Sequence, residues 1–535
     1  MRPTAAGAPP CVLHEDEHLL VVVKPAGWNT HAPAPFAGEG IYEWLRDREA
    51  RWAGLAIVHR LDRDTSGVMV FAKTPLASRS LTAQFAAREV RKRYLLLTDR
   101  AGPAGELRVD APIARVGARY TTAAGGGEPA TTVFRPAAAV NGPGGRPCVA
   151  VAADPVTGRT HQVRVHAAAS GFPVLGDALY GGGPAPRLCL HALGLALRHP
   201  ATGAEIAFES SADFAADPAA ALRAACIDPG GTDAFRVLHG AADGQPGLYV
   251  DRLGEFLLAQ SAHEPSPADR QRLAALPATG IYHKRLDRQV RRLAAQTASP
   301  RLLGGATAPE RFVVRENGVR YELGLSEGYS TGLFLDQRDN RRRFLTGHVA
   351  AGLPLYAGEA VQPEVLNAFA YTCGFSVCAA LGGARVTSLD LSRKYLDWGR
   401  RNFGLNGLDP AAHDFIHGDA FDWFRRLVRK GRRYDVLVLD PPTFSQSKDH
   451  GRFRVEADYG RLVAAALPLL APGGVLLACA NTARLPAEAF VATVREAVAA
   501  GGRRIDAVHY APQPPDFPVT REEPAHLKTL WLRVG

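Results

Sequence analysis

Two acids and two arginines alternate in one short stretch, Arg60-Leu61-Asp62-Arg63-Asp64, ahead of Thr65-Ser66-Gly67. A carboxylate among guanidinium groups suits nucleophilic or acid/base work, because neighbouring cations favour its ionised form. Asp64 is placed to cap the turn that Thr65-Ser66-Gly67 closes, which leaves Asp62 without a structural task. The bland alternative is a charged hairpin loop on a soluble protein. A second chemical stretch, Asp440-Pro441-Pro442-Thr443-Phe444, directly follows the apolar run 436–439. A third acid, Asp390, ends the run 385–390, where a carboxylate suits the two hydroxyls of a ribose.

The elements around these residues can be read from pattern. Runs 56–58 and 68–72 are apolar and β-branched-rich, so they read as strands holding the Asp62 turn. A strand at 19–23 leads into the turn Lys24-Pro25-Ala26-Gly27, and 41–52 has helical character. Residues 76–88 read as an amphipathic helix. Arg88, Arg91, Lys92 and Arg93 precede Tyr94, which fits either a phosphate contact with a stacking platform or a solvated helix end. Residues 114–147 read as loops with short strands. A helix starts near His161, which would put His161 and Arg164 on one face.

Six motifs then occur in order: Lys24-Pro25-Ala26-Gly27, His59-Arg60-Leu61-Asp62-x-x-Thr65-Ser66-Gly67, Lys92-Arg93-Tyr94, Gly158-Arg159-Thr160-His161-Gln162-Val163-Arg164-Val165-His166, Gly176-Asp177-x-Leu179-Tyr180-Gly181 and Leu190-His191-Ala192. Together they resemble the RluA-type pseudouridine synthases over roughly 11–210. Val23 stands where that family usually has Asn or Asp, and no S4-type RNA-binding module is recognisable ahead of the first motif. The resemblance implies a mixed, largely antiparallel sheet around an RNA cleft and base flipping of the target uridine. It implies that Asp62 is catalytic, that Tyr94 stacks on the base, and that Arg164 pairs with Asp62. Cutting the glycosidic bond, turning the uracil and forming a C–C bond is redox-neutral, so no cofactor or metal is expected for this half.

With 535 residues the chain is long enough for about three domains. No run approaches the ~18 apolar residues of a membrane helix. Seven scattered cysteines show no zinc-ligand spacing and fit free thiols in a reducing cytoplasm. A formal charge of +10 is compatible with a phosphate-rich partner. Small residues and a breaker cluster place a linker at 213–232. Beyond it, 281–292 is strongly basic (His283, Lys284, Arg285, Arg288, Arg291, Arg292), reading as RNA contact or as a solvated face. Glu316-Asn317-Gly318 signals a type I′ hairpin. Leu335-Asp336-Gln337-Arg338 leads into a basic helix at 340–345.

From 364 onward, strand, turn, helix, strand and terminal acid follow one another, the grammar of a doubly wound nucleotide-binding domain. The order resembles a class I S-adenosylmethionine methyltransferase. Asn367-x-Phe369-x-Tyr371-Thr372, Asp440-Pro441-Pro442-Thr443-Phe444-Ser445-x-Ser447-Lys448 and Leu335-Asp336-Gln337-Arg338 are similar to the RlmI/RlmK-type rRNA methyltransferases over about 235–535. That resemblance implies cofactor contacts at Arg338, Asn367, Phe369, Tyr371, Thr372, Gly374, Asp390, Asp419 and Asp440. It implies a methyl-acceptor loop at Pro441, Pro442, Thr443 and Phe444. Cys373 replaces the usual first glycine and adds a Cβ near the cofactor. Members that methylate cytosine C5 carry a cysteine where this chain has Asn481, while Cys479 reads as a buried structural thiol. Guanine N7, which has a free lone pair, is the expected acceptor, with an exocyclic amine as runner-up and cytosine C5, served by Cys479, as a further alternative.

The expected architecture is α/β and α+β multidomain. A mixed, largely antiparallel pseudouridine synthase sheet spans 1–212, a small α/β domain 233–342, and a doubly wound Rossmann-like domain 343–535. The expected activity is bifunctional modification of RNA, 23S rRNA in particular, with S-adenosylmethionine as cofactor of the second half only and no metal or membrane partner. Two further readings stay open: one half serving the other as a non-catalytic RNA-binding module, and methylation of a protein amide.

Overall fold

The computed structural model describes residues 7–123, 126–286, 298–356, 358, 362–447 and 451–535. Arg288, Arg291, Arg292 and Lys448, singled out above, lie outside the described residues. The first sheet has ten strands. Its main path runs Val12–Glu15, Leu19–Lys24, Ser66–Ala72, Leu190–Arg198, Arg91–Thr98, Pro147–Pro155, Thr131–Asn141, Leu107–Asp110. Ser66–Ala72 is buried along its whole length, which is why it reads as a continuous apolar run. It pairs antiparallel with Leu19–Lys24 and parallel with Leu190–Arg198. At that parallel contact a Cβ on Gly67 would lie 2.3 Å from the Ala192 carbonyl oxygen, and φ is +127°, so only glycine fits. The remaining ladders of this sheet are antiparallel, as expected.

Several local expectations are corrected. The stretch read as loops contains an eleven-residue strand, Thr131–Asn141, whose outer half is exposed and therefore lacks an apolar signal. The helix expected over 41–52 ends after Arg46 and resumes as a single turn, Ala50–Trp52. Asp47 takes both Arg46 nitrogens at 2.9 Å and accepts the Ala351 amide at 3.1 Å, which ties the chain down at the break. Asp64 does not cap its turn; it pairs with Arg63 at 3.8 Å, and the Thr65 amide closes the turn on the Asp62 carbonyl. The segment read as a linker carries the helix Pro218–Cys226, whose Cys226 packs in one cluster with Cys11, Trp28 and Trp44.

The middle region is a five-stranded sheet, Ala234–His239, Tyr249–Leu253, Phe256–Ser261, Gly280–Arg285, Arg301–Gly305. His283 is buried within it and bonded to Ser261 at 2.9 Å, so it is no RNA contact. The hairpin Phe312–Glu316/Val319–Leu323 turns on Asn317 and Gly318, both at positive φ, the type I′ geometry expected. The basic helix is Arg338–Thr346, and Arg338, Arg341, Arg342 and Arg343 are all buried. Their partners explain this: Asp516, Glu316 and Glu49 pair the first three, and Arg343 donates to the Val349 carbonyl.

The third sheet has seven strands, in the order Asp414–His417, Arg385–Asp390, Glu364–Ala368, Tyr434–Leu439, Leu470–Asn481, Leu527–Val534, Ile505–Ala511. The first five are parallel and the last two antiparallel to their neighbours. Strand order reverses between Glu364–Ala368 and Tyr434–Leu439, so a crevice opens beyond their carboxyl ends. The first and third regions meet along the helix Arg338–Thr346. Trp44 donates to Asp339 at 3.1 Å, and Glu49 pairs with Arg342. No described helix is long and apolar enough to cross a membrane.

Candidate active sites

The first cavity, about 450 Å³, is lined by Asp62, Tyr94 and Arg164 together with Arg60, Arg88, Lys92, Arg159 and His161. Residues 102 positions apart thus meet as the motifs implied. Arg164 Nη1 lies 3.5 Å from Asp62 Oδ2, and His161 Nε2 lies 3.9 Å from the same oxygen. His161 is the N-cap of the helix Gln162–Ala169 at φ +57°, not a member of it, yet both side chains still face Asp62. Arg164 itself is fixed from behind by Asp177, through bonds of 2.7 and 2.9 Å. Burial opposes the Arg164 charge, but the Asp177 bond and the charges of Asp177 and Asp62 outweigh it, so its pKa is raised. Burial and the Asp62 charge push the Tyr94 phenol well above its ordinary range, which keeps its proton in place.

Strand alternation sorts the basic cluster. Lys92 and Tyr94 face the cavity, whereas Arg91 and Arg93 point to the other face and pair with Glu205 and Glu209. The Asp62 loop is pinned by buried groups that sequence reasoning left unassigned. Lys24 Nζ donates to the carbonyls of Pro25, Trp28 and Arg63 at 2.7–2.9 Å, and Thr30 donates to the Leu61 carbonyl at 2.8 Å. Burial lowers Lys24 to about 7. His59, lowered by burial to about 3, accepts the Val70 amide and stacks on Phe85. Lys24 and Asp177 both stood inside quoted motifs, so their presence was visible and only their partners were not.

The second cavity, about 650 Å³, opens at the strand-order reversal. Phe369, Tyr371, Thr372, Gly374, Asp390, Asp419, Asp440, Pro441, Pro442 and Thr443 line it. Phe369, Tyr371 and Cys373 all adopt positive φ, a run of left-handed residues that shapes the first loop. Asp390 accepts the amides of Tyr371 and Ser392 at 2.8 Å each, and burial nonetheless raises its pKa. Asp419 also caps the helix Ala420–Arg429. Two expected contacts do not reach the cavity. Arg338 is bound by both oxygens of Asp516, at 2.7 and 2.8 Å, and Asn367 donates to Ser376 at 2.9 Å; both are buried. Phe444 does not line the cavity and is exposed.

Cys373 does not crowd the cavity. Its sulfur packs toward the helix Arg393–Leu405, where a Cβ on Gly399 would lie 2.3 Å from it. Cys479 is fully buried and its thiol is pushed well above the ordinary range by burial, while Asn481, two residues on, reaches the cavity. The lining also includes Asp336, Gln337 and Arg341, which the sequence did not single out as site residues. Gln337 donates to Asp440 at 3.0 Å. Burial, then the Asp336 charge, raise Asp440 to about 7. His526 lies 3.1 Å from Asp336. Among the described residues, Glu39, Asp47 and His509 form the one trio of metal-ligand type, with ligand atoms within 4.8 Å. Asp47 is already paired with Arg46, and Arg343 lies 3.4 Å from His509, so cationic side chains already serve that seam.

A cavity with a carboxylate at a strand end, an aromatic and glycine-containing loop and acids on neighbouring strand ends fits an adenosyl methyl donor. The family model of S-adenosylmethionine-dependent methyltransferases matches residues 236–533, and that of RNA pseudouridylate synthases matches residues 18–169. A ribosomal RNA large subunit methyltransferase of Deinococcus radiodurans is 36% identical over 59% of this chain and 78% of its own length. Ribosomal RNA large subunit methyltransferase I of Aeromonas salmonicida is 35% identical over 57% of this chain and 75% of its own length. The solved structure of Human RNA Pseudouridylate Synthase Domain Containing 1 is 26% identical, covering 40% of this chain and 86% of that one, with a TM-score of 0.33.

Proposed function

The chain belongs to the S-adenosylmethionine-dependent methyltransferase family and carries a pseudouridine synthase domain ahead of it, and from that premise we propose that both cavities act on large-subunit rRNA, 23S in particular. The first isomerises uridine to pseudouridine. The observation that carries this reading is the convergence of Asp62, Arg164, His161 and Tyr94 in one cavity. A flipped uridine enters with its base on Tyr94, and Arg60, Arg88, Lys92 and Arg159 meet the flanking phosphates. Asp62 serves as nucleophile or acid/base group while the bond from N1 to the ribose breaks and the bond from C5 forms. Chemical mapping of pseudouridine in rRNA from cells carrying only Asp62→Ala tests this. Retention of every pseudouridine would sink it.

The second cavity methylates a guanine at N7. Phe369, Tyr371, Thr372, Gly374, Asp390 and Asp419 hold the donor, with Asp390 on the ribose hydroxyls, and Asp440 stands toward the acceptor. S-adenosylmethionine supplies an electrophilic methyl group. N7 attack needs no covalent help from the protein, in keeping with the burial of Cys479 and with Asn481 at the position that a thiolate would require. Methylation of an exocyclic amine is the second reading, supported by Asp440, which near neutral pH can accept a proton. Nucleoside mass spectrometry of methylated rRNA, with strand scission at 7-methylguanosine, separates the two.

A further inference from the structure

Methylating N7 uses the ring lone pair, breaks the donor's methyl–sulfur bond and passes the donor's positive charge to the base. No proton leaves in that step, and the thioether departs neutral. The guanine therefore turns from a neutral ring into a cation, and its N1–H becomes a stronger hydrogen-bond donor. A fixed carboxylate on that N–H would gain strength as the reaction proceeds, which is the kind of contact that accelerates chemistry rather than binding alone.

The cavity contains such a group. Asp336 lines the acceptor end beside Asp440 and Asn481. Its Oδ2 is held by His526 at 3.1 Å and by the Asn481 amide at 3.4 Å, and its side chain is 8% exposed. Among the described residues its Oδ1 makes no hydrogen bond. His526 is in turn set by ring contacts with Phe517 and His239. Resting on the guanine-N7 reading, we propose that Asp336 contacts the acceptor base, taking its N1–H and stabilising the cation formed at N7, with His526 as its positioning residue. The neighbouring acid does not compete for this role. Burial raises Asp336, but the His526 bond and the charges of His526, Arg341 and Arg236 lower it overall, whereas Asp440 is held near neutral pH. Of the two acids, Asp336 thus carries the larger share of the negative charge at neutral pH. Adenine presents a lone pair at N1 in place of the proton, so the same carboxylate rejects it.

The test uses the full chain, with a protein-free large-subunit rRNA transcript as substrate, in wild type, Asp336→Asn, Asp336→Glu and His526→Gln. Binding of S-adenosylhomocysteine by calorimetry reports that the cavity is intact, and nucleoside mass spectrometry reports the product. Asp336→Asn is expected to lower kcat about 10²–10³-fold with KM for RNA within about threefold. Asp336→Glu should recover part of the loss, and His526→Gln should lower kcat by about tenfold. Wild type loaded with S-adenosylhomocysteine should bind 7-methylguanosine more tightly than guanosine, and Asp336→Asn should lose that preference. Unchanged kcat, or an unchanged preference, in Asp336→Asn that still binds S-adenosylhomocysteine would overturn the proposal. Should Asp336→Asn fail to fold, an unchanged kcat in His526→Gln does the same. A wild-type product other than 7-methylguanosine overturns the N7 reading itself, which the mass spectrum distinguishes from failure of Asp336 alone.

Discussion

Asp62 stands among cations, whereas Asp440, partly exposed like Asp62, stands beside a second acid, Asp336. The first cavity holds its carboxylate by pairing: Arg164 and His161 face it, and Asp177 fixes Arg164. The second splits its carboxylates by environment, one lowered by its partners and one raised by burial and by its neighbour. The difference follows from the reactions proposed for each. A nucleophile or base at C1′ needs one ionised group, while methyl transfer moves a positive charge and benefits from a single anion at the end where that charge arrives.

Substitutions can break this comparison one side at a time. The largest effect is expected from Asp62→Asn, which should lower the rate of pseudouridine formation on the order of 10⁴–10⁶-fold while leaving methylation of the same transcript unchanged; parallel loss of both would show that the sites are not independent. Arg164→Lys should cost about 10²-fold in pseudouridine formation, because a point charge cannot replace the fork that grips Asp177 while facing Asp62. In the other cavity, Asp390→Ala should weaken binding of S-adenosylhomocysteine about 10–100-fold, read by calorimetry, with pseudouridine formation untouched.

A smaller effect tests the loop around Cys373. Gly399→Ala should destabilise the protein by about 1–3 kcal/mol in denaturant unfolding, because its Cβ meets the Cys373 sulfur, and Cys373→Gly should relieve that penalty. The smallest concerns the edge of the first sheet. Burial raises Asp16, but bonds from His14, His199 and the Leu19 and His18 amides hold it at about 2. A carboxyl lowered in the fold contributes stability that is present above its ordinary value of 3.8 and is lost as pH falls through 2. The stability gap between wild type and Asp16→Asn should therefore close between pH 4 and pH 2 in thermal unfolding.

Much of both cavities was legible because their residues sit in short contiguous motifs. Asp62, Tyr94 and Arg164 were each named from the chain, as were Asp390 and Asp440, and all five line the cavities assigned to them. Arg338 was named and misses, because a guanidinium in a motif looks the same whether it meets a ligand or an aspartate 178 residues later. The strand Thr131–Asn141 was missed because its outward half carries no apolar alternation. Asp336 stood inside a quoted motif without a task, since its partners, His526 and Asn481, are distant in the chain.

The sequence by itself determined the order of elements, the chemistry available at each loop and the absence of a cysteine at Asn481, because these depend on residue type and local spacing. Only the tertiary structure decided which charges are neutralised and which remain to act. Pairing and desolvation depend on what packs against a group from elsewhere in the chain. That is why Arg342 ends in a buried seam with Glu49, Cys479 is sealed beneath the cavity, and Asp336 is lowered by His526 while Asp440 is raised.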